Sequence, residues 1–177
     1  MEMESKVMDF IHSLVGKRLL DVCCAMELLT FDFSPLALHA SGCARIIRNG
    51  DILVTTLDYQ SWDLSESINN DEWLNVAKFH EELSGGVVLS VTLSPWHDLR
   101  IELDNGVIIE CLIANSYPHY SEEKEQWVLF ERGKVRGKEP KPFLTIYNKS
   151  IDFIEEDIQP GTENRTPSTK ARLVSRV

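Results

Sequence analysis

The 177 residues carry 18 lysines and arginines against 28 aspartates and glutamates, and 43% are hydrophobic, the balance of a globular domain able to bury a full core. No apolar run approaches the roughly 20 residues that cross a bilayer, and the acidic start Met-Glu-Met-Glu-Ser-Lys lacks the signal-peptide pattern, so the expectation is a cytoplasmic protein with no membrane span. The net charge of −10 argues against nucleic acid, whose phosphates demand a positive surface, and the four cysteines, two adjacent and two alone, read as buried thiols.

Val7, Phe10, Ile11 and Leu14 follow helical spacing, which predicts a helix over 4–14 with Gly16 just beyond it as a left-handed cap. Alternating segments at 18–23, 28–33 and 36–40 read as strands, with Ser34-Pro35 turning one hairpin. Segments 43–48 and 51–58 flank Asn49-Gly50, a further hairpin signal. Asn70 caps a second helix that opens with Asp71-Glu72. Its expected buried face is Trp73, Val76, Ala77, Phe79, His80 and Leu83, and it ends at Gly85-Gly86. Strands at 87–93, 98–103 and 107–113 follow, the last two joined by Asp104-Asn105-Gly106. Strands at 126–131, 143–148 and 150–154 finish the body, interrupted by a basic loop at 133–142 that holds Lys134, Arg136, Lys138 and Lys141. Residues 1–158 carry 14 basic and 27 acidic side chains, a net of −13, whereas 159–177 carry four and one, a net of +3. With almost nothing to bury, 159–177 reads as a disordered, mildly basic tail on a single domain, 1–158.

Two stretches of that domain repeat each other. Val7, Phe10, Leu14, Gly16, Leu20 and Val22 recur 69 residues later as Val76, Phe79, Leu83, Gly85, Leu89 and Val91. The match continues at an offset of 70 through 29–33 and at 71 through Leu36, Leu38 and Ala40, so that 7–40 pairs with 76–111. The apolar skeleton recurs and the polar positions do not, which speaks for architecture and is silent on chemistry. The expected fold is α+β: two pseudo-repeated units, each a helix followed by an antiparallel β-meander, forming mainly antiparallel sheet with helices packed on one face.

Catalytic constellations are absent: there is no glycine-rich phosphate loop, no His-Glu-x-x-His and no Cys-x-x-Cys. Ser121-x-x-Lys124 stands without the companion motifs its chemistry needs. Cys23 and Cys24, adjacent on a strand, must point to opposite faces, and His97-Asp98 reads as a turn-capping pair. A metal site would require His119 to converge with Glu122 and Glu123, which spacing does not show, so neither metal nor cofactor nor catalytic residue is expected. Aromatic residues beside carboxylates carry the clearer signal. Tyr59, Trp62, Asp63 and Glu66 form one block after the first repeat, and Tyr117, His119, Tyr120, Glu122, Glu123 and Glu125 form its counterpart after the second. Loop aromatics of this kind anchor a protein partner, and acidic neighbours select a basic one.

The strings Phe10-Ile11-His12-Ser13-Leu14-Val15-Gly16-Lys17 and Leu99-Arg100-Ile101-Glu102-Leu103-Asp104-Asn105-Gly106-Val107, with the tryptophan strand Glu125-Gln126-Trp127-Val128-Leu129-Phe130, are similar to bacterial domains of a particular kind. Those domains resemble immunity or accessory proteins of polymorphic toxin systems, and the resemblance covers roughly residues 10–132. It implies a small, acidic, cytoplasmic, non-enzymatic protein that neutralises a toxin domain by binding it, and it carries over no functional residue. Two alternatives stand beside that expectation. One is a small-molecule or enzymatic site in the cleft between the repeats, with His97 or His119 beside carboxylates. The other is an assembly module that associates through a sheet edge.

Overall fold

The computed structural model describes residues 2–66, 68–115, 123–132, 142–155 and, by backbone alone, 172–174. The chain is α+β, and its elements fall into two runs of the same order. The first comprises α1 (Glu2–His12), β1 (Asp21–Ala25), β2 (Leu28–Phe33), β3 (Leu36–Ala40), β4 (Cys43–Arg48) and β5 (Asp51–Thr55), closed by a 3-10 helix over Thr56–Ser61. The second comprises α2 (Asp71–Leu83), β6 (Val88–Leu93), β7 (Leu99–Leu103), β8 (Val107–Leu112), β9 (Glu125–Glu131) and β10 (Phe143–Tyr147), with β11 (Ser150–Ile154) and β12 (Arg172–Val174) appended. The strands form two antiparallel sheets, β1-β2-β3-β9-β10-β11-β12 and β5-β4-β8-β7-β6.

Strand register reproduces the repeat. Val22 faces Phe31 and Leu29 faces Ala40 in the first meander; their counterparts Val91 and Ile101, and Leu99 and Cys111, face each other in the second. The segments between helix and first strand then pair with each other through an Arg18–Val87 bridge, two residues that are themselves 69 apart. Four hydrogen bonds surround it in symmetric couples. Gly16 N–H donates to Val88 O as Gly85 N–H does to Leu19 O, and Leu19 N–H donates to Gly86 O as Val88 N–H does to Lys17 O. An antiparallel pair centred on a residue and its own counterpart lies on a local twofold axis. Gly16 and Gly85, at φ 81° and 85°, supply the left-handed turn that aims both segments at it.

The repeat reaches further than the sequence indicates, because the next strand of each unit changes sheets. β4 leaves its own meander to pair with β8, and β9 leaves the second to pair with β3. The two pairings have the same register: Ala44 opposite Cys111 and Ile46 opposite Ile109 match Trp127 opposite Ala40 and Leu129 opposite Leu38. The crossing is tight. Gly42 N–H donates to Gln126 O at 2.8 Å, and a Cβ added at Gly42 would stand 3.2 Å from the Gln126 backbone, so a side chain there would push the two crossing segments apart.

Each meander buries alternate residues, Leu29, Phe31 and Phe33 on β2 and Leu99, Ile101 and Leu103 on β7, and both sheets contribute to one core. The helices sit across sheet margins. α2 packs on β1 and β5, while α1 meets β6 and stacks Phe10 on Phe153 of β11, with ring centroids 5.5 Å apart. Because α2 spans a margin, only a narrow stripe of it is covered. Val76 and Leu83 are buried, Trp73 and Phe79 are half-buried, and Ala77 and His80 are exposed, contrary to the wider face that periodicity predicts. His80 instead hydrogen-bonds Asp21 at 2.8 Å.

The expectation of buried thiols is also corrected. Of the four thiols only Cys111 is buried; Cys23 is exposed on the outer face of edge strand β1, and Cys24 and Cys43 are intermediate. In the expected disordered tail, residues 172–174 pair with β11, Leu173 opposite Ile151. The remainder of that tail, and the basic loop apart from Pro142, lie outside the described residues. On the outer face of the second sheet, Arg45 and Arg100 each approach Glu110 at 2.5 Å. Burial raises the Glu110 pKa, but the two guanidiniums outweigh it and hold the carboxyl below its ordinary range. A depressed folded-state pKa stabilises above the unfolded value and is lost as pH falls through the folded one. Glu110→Gln is therefore expected to cost about 1–2 kcal/mol at pH 7 in urea denaturation, with the difference shrinking as pH falls through the depressed folded-state value.

Candidate functional site

The first aromatic and acidic block is built as a rigid cap. Thr55 opens the 3-10 helix with a capping box whose other member is Asp58, and Asp58 also accepts from Asn75 of α2 at 3.2 Å. Tyr59 and Trp62 lie with ring centroids 5.3 Å apart, and the Trp62 indole N–H donates to Glu66 O at 2.7 Å. Asp63 accepts from Ser65 Oγ and N–H and from Asn69 Nδ2, bonds that hold its carboxyl below the ordinary range. The four residues expected to act together are thus joined in one structure, and Ser61 Oγ ties it to the start of α2 by accepting from Asp71 N–H.

Around this cap lie apolar side chains that composition did not single out. Leu57 (54% exposed), Leu64 (77%), Ile68 (46%) and Leu74 (49%) all stand open to solvent between the 3-10 helix and the first turns of α2. Asp63, Glu66 and Asp71 are exposed in the same segment. Exposed apolar side chains interspersed with charge along one segment are what a partner-binding surface offers.

The second block is represented in part. Tyr117, His119, Tyr120 and Glu122 lie outside the described residues. Glu123 accepts from Ser150 Oγ, and Glu125 Oε1 accepts from Ser41 Oγ at 3.2 Å. Glu125 nevertheless meets the first block, because it and Tyr59 line one open cleft of about 350 Å3 with Glu27, Asn115 and Gln126. The cleft lies where the chain crosses between sheets, at Gly42 and Gln126. His97, placed there by the alternative reading, lines a separate apolar crevice beside Met8 and Leu93. Its carbonyl accepts the Trp127 indole N–H, and burial lowers its pKa against the opposing pull of Asp98.

The residue that sequence reasoning missed is Glu72. Its side chain is fully buried, and neither carboxyl oxygen has a hydrogen-bond partner. Burial, reinforced by the charges of Asp58 and Glu27, pushes its pKa up to about 8, so it is largely protonated at neutral pH. The signal was present: Glu72, Val76 and Leu83 share one helical stripe, and only the expectation that first-turn acids face solvent hid it. Thiol chemistry has little support here. Burial and then the Glu72 charge raise Cys24 to about 11, and burial also raises Cys23 and Cys43, leaving thiols rather than thiolates at neutral pH. Among the described residues no group of three or more His, Cys, Asp or Glu side chains is arranged to hold a metal ion.

No helix among the described residues is long and apolar enough to cross a membrane. Comparison with protein-family models, with curated proteins and with solved structures finds no match to this chain.

Proposed function

We propose that this chain is a non-enzymatic protein-binding domain whose 3-10 helix, following loop and α2 start receive a basic protein, in the manner of a cytoplasmic immunity protein masking a toxin. The observation that carries the reading is the exposure of Leu57, Leu64, Ile68 and Leu74 in the same segment as the Tyr59–Trp62 pair and the exposed Asp63, Glu66 and Asp71. The acidic side chains and the −13 body select a basic occupant and raise its encounter rate, and the apolar ones supply the lifetime of the complex. The cap's internal hydrogen bonds hold the rings in place before binding, which lowers the entropic cost of association.

The test uses the purified chain as bait in host lysate at low and high salt, followed by stopped-flow kinetics with the retained protein. A basic partner is expected, with association slowing as salt rises. Asp63→Lys with Glu66→Lys should slow association, whereas Trp62→Ala should shorten the lifetime by about 2 kcal/mol in binding free energy. Retention of no basic protein, or binding indifferent to both sets of changes, rejects the proposal.

A further inference from the structure

We infer that the cleft at the crossing of the two repeats is a binding site for a small cation rich in N–H donors, a guanidinium or primary ammonium group. Among the described residues the buried side-chain atoms without a hydrogen-bond partner are Asn115 Oδ1, Gln126 Oε1 and both oxygens of Glu72. All are oxygens. Asn115 and Gln126 line the cleft, and Glu72 is coupled electrostatically to Glu27 and Tyr59, which line it too.

Gln126 is the firmest part of the site. It is 1% exposed, and its Nε2 donates to Lys124 O and Glu125 O, which settles which end of the amide is oxygen. Its Oε1 lies over Gly42 in the cleft wall, where a Cβ on residue 42 would stand only 2.8 Å away. A buried acceptor without a donor is costly, and a ligand bringing N–H groups removes that cost. The charges point the same way. Glu27 and Glu125 line the cleft against the single cation Lys124, and Tyr59 lines it too. A cleft of about 350 Å3 holds one amino-acid-sized ligand.

The site stands independently of the acidic face, since a free cation can bind where no protein does. The experiment is an amide-resolved NMR titration of the full chain with L-argininamide, with L-citrullinamide as the neutral analogue of the same shape. Saturable shifts are expected at residues 27, 42–43, 56–59, 114–115 and 124–126. The citrulline analogue, Glu125→Gln and Gln126→Met are each expected to weaken binding about tenfold or more; Glu125→Gln leaves the melting temperature little changed, whereas Gln126→Met lowers it by freeing the Lys124 and Glu125 carbonyls. Should Gln126→Met fail to fold, Glu125→Gln and the analogue still decide. The blocked peptide acetyl-alanyl-arginyl-alanine amide separates sources: binding as tight as that of argininamide assigns the cleft to a protein's basic side chain, and markedly weaker binding assigns it to a free metabolite. Shifts that do not saturate, that spread over the acidic surface, or that ignore the analogue and both variants overturn the inference.

Discussion

Trp127→Ala is expected to lower stability by about 3–5 kcal/mol, the largest effect of any single truncation here. The indole is fully buried among residues of both sheets, and its N–H donates to His97 O at 3.1 Å, so one side chain ties β9 of the first sheet to the 94–98 turn of the second. That turn is otherwise held by Ser94 and Asp98, with His97 itself in a left-handed conformation at φ 68°. Truncation leaves a cavity at the shared core and orphans the His97 carbonyl together. Trp127→Phe separates the two contributions, refilling most of the volume while leaving the carbonyl unpaired, at an expected cost of about 1–2 kcal/mol. Urea denaturation followed by circular dichroism measures both. A Trp127→Ala midpoint close to that of the parent chain would mean that the sheets do not share a core at this point.

Glu72→Gln is expected to stabilise the protein, and only above acidic pH. The folded-state pKa is raised to about 8 from an ordinary value of 4.5, chiefly by burial. Below pH 4.5 the carboxyl is protonated in both states and contributes no difference. Between 4.5 and 8 the unfolded chain releases the proton while the folded chain keeps it, so native stability falls by about 1.4 kcal/mol per pH unit. Above 8 the loss is complete. Glutamine does not titrate and keeps the shape, so the variant should match the parent at pH 4 and exceed it by about 2–3 kcal/mol at pH 7. The α2 N-terminus favours the carboxylate by about 0.3–1 kcal/mol and trims that figure. Thermal melts at pH 4, 6 and 8 give the trend; equal stabilities at pH 8 would show that water reaches Glu72.

Much of the architecture was legible because burial imposes periods on a chain. Val7, Phe10, Leu14 and Gly16 recur at a constant spacing because a helix, its cap and the strand after it must keep the same faces inward in both units. The Asn49-Gly50 and Asn105-Gly106 turns are local events, fixed within two residues, and they fall where the sequence places them. The Tyr59 to Glu66 block was legible for the same reason, since its hydrogen bonds run between near neighbours.

Only the tertiary structure decided which strands become neighbours across the repeat. β4 finds the same register and the same apolar partners on β8 as it would on β3, because the two meanders are copies, so no local pattern distinguishes staying from crossing. The choice rests on core packing and on the close approach at Gly42, contacts between residues more than 80 positions apart. That crossing creates the cleft, brings Glu27, Tyr59, Asn115 and Gln126 to one place, and leaves Glu72 buried under the 3-10 helix that follows β5. Burial of a charge is a property of what covers it, and the cover here comes from elements that the sequence around Glu72 does not contain.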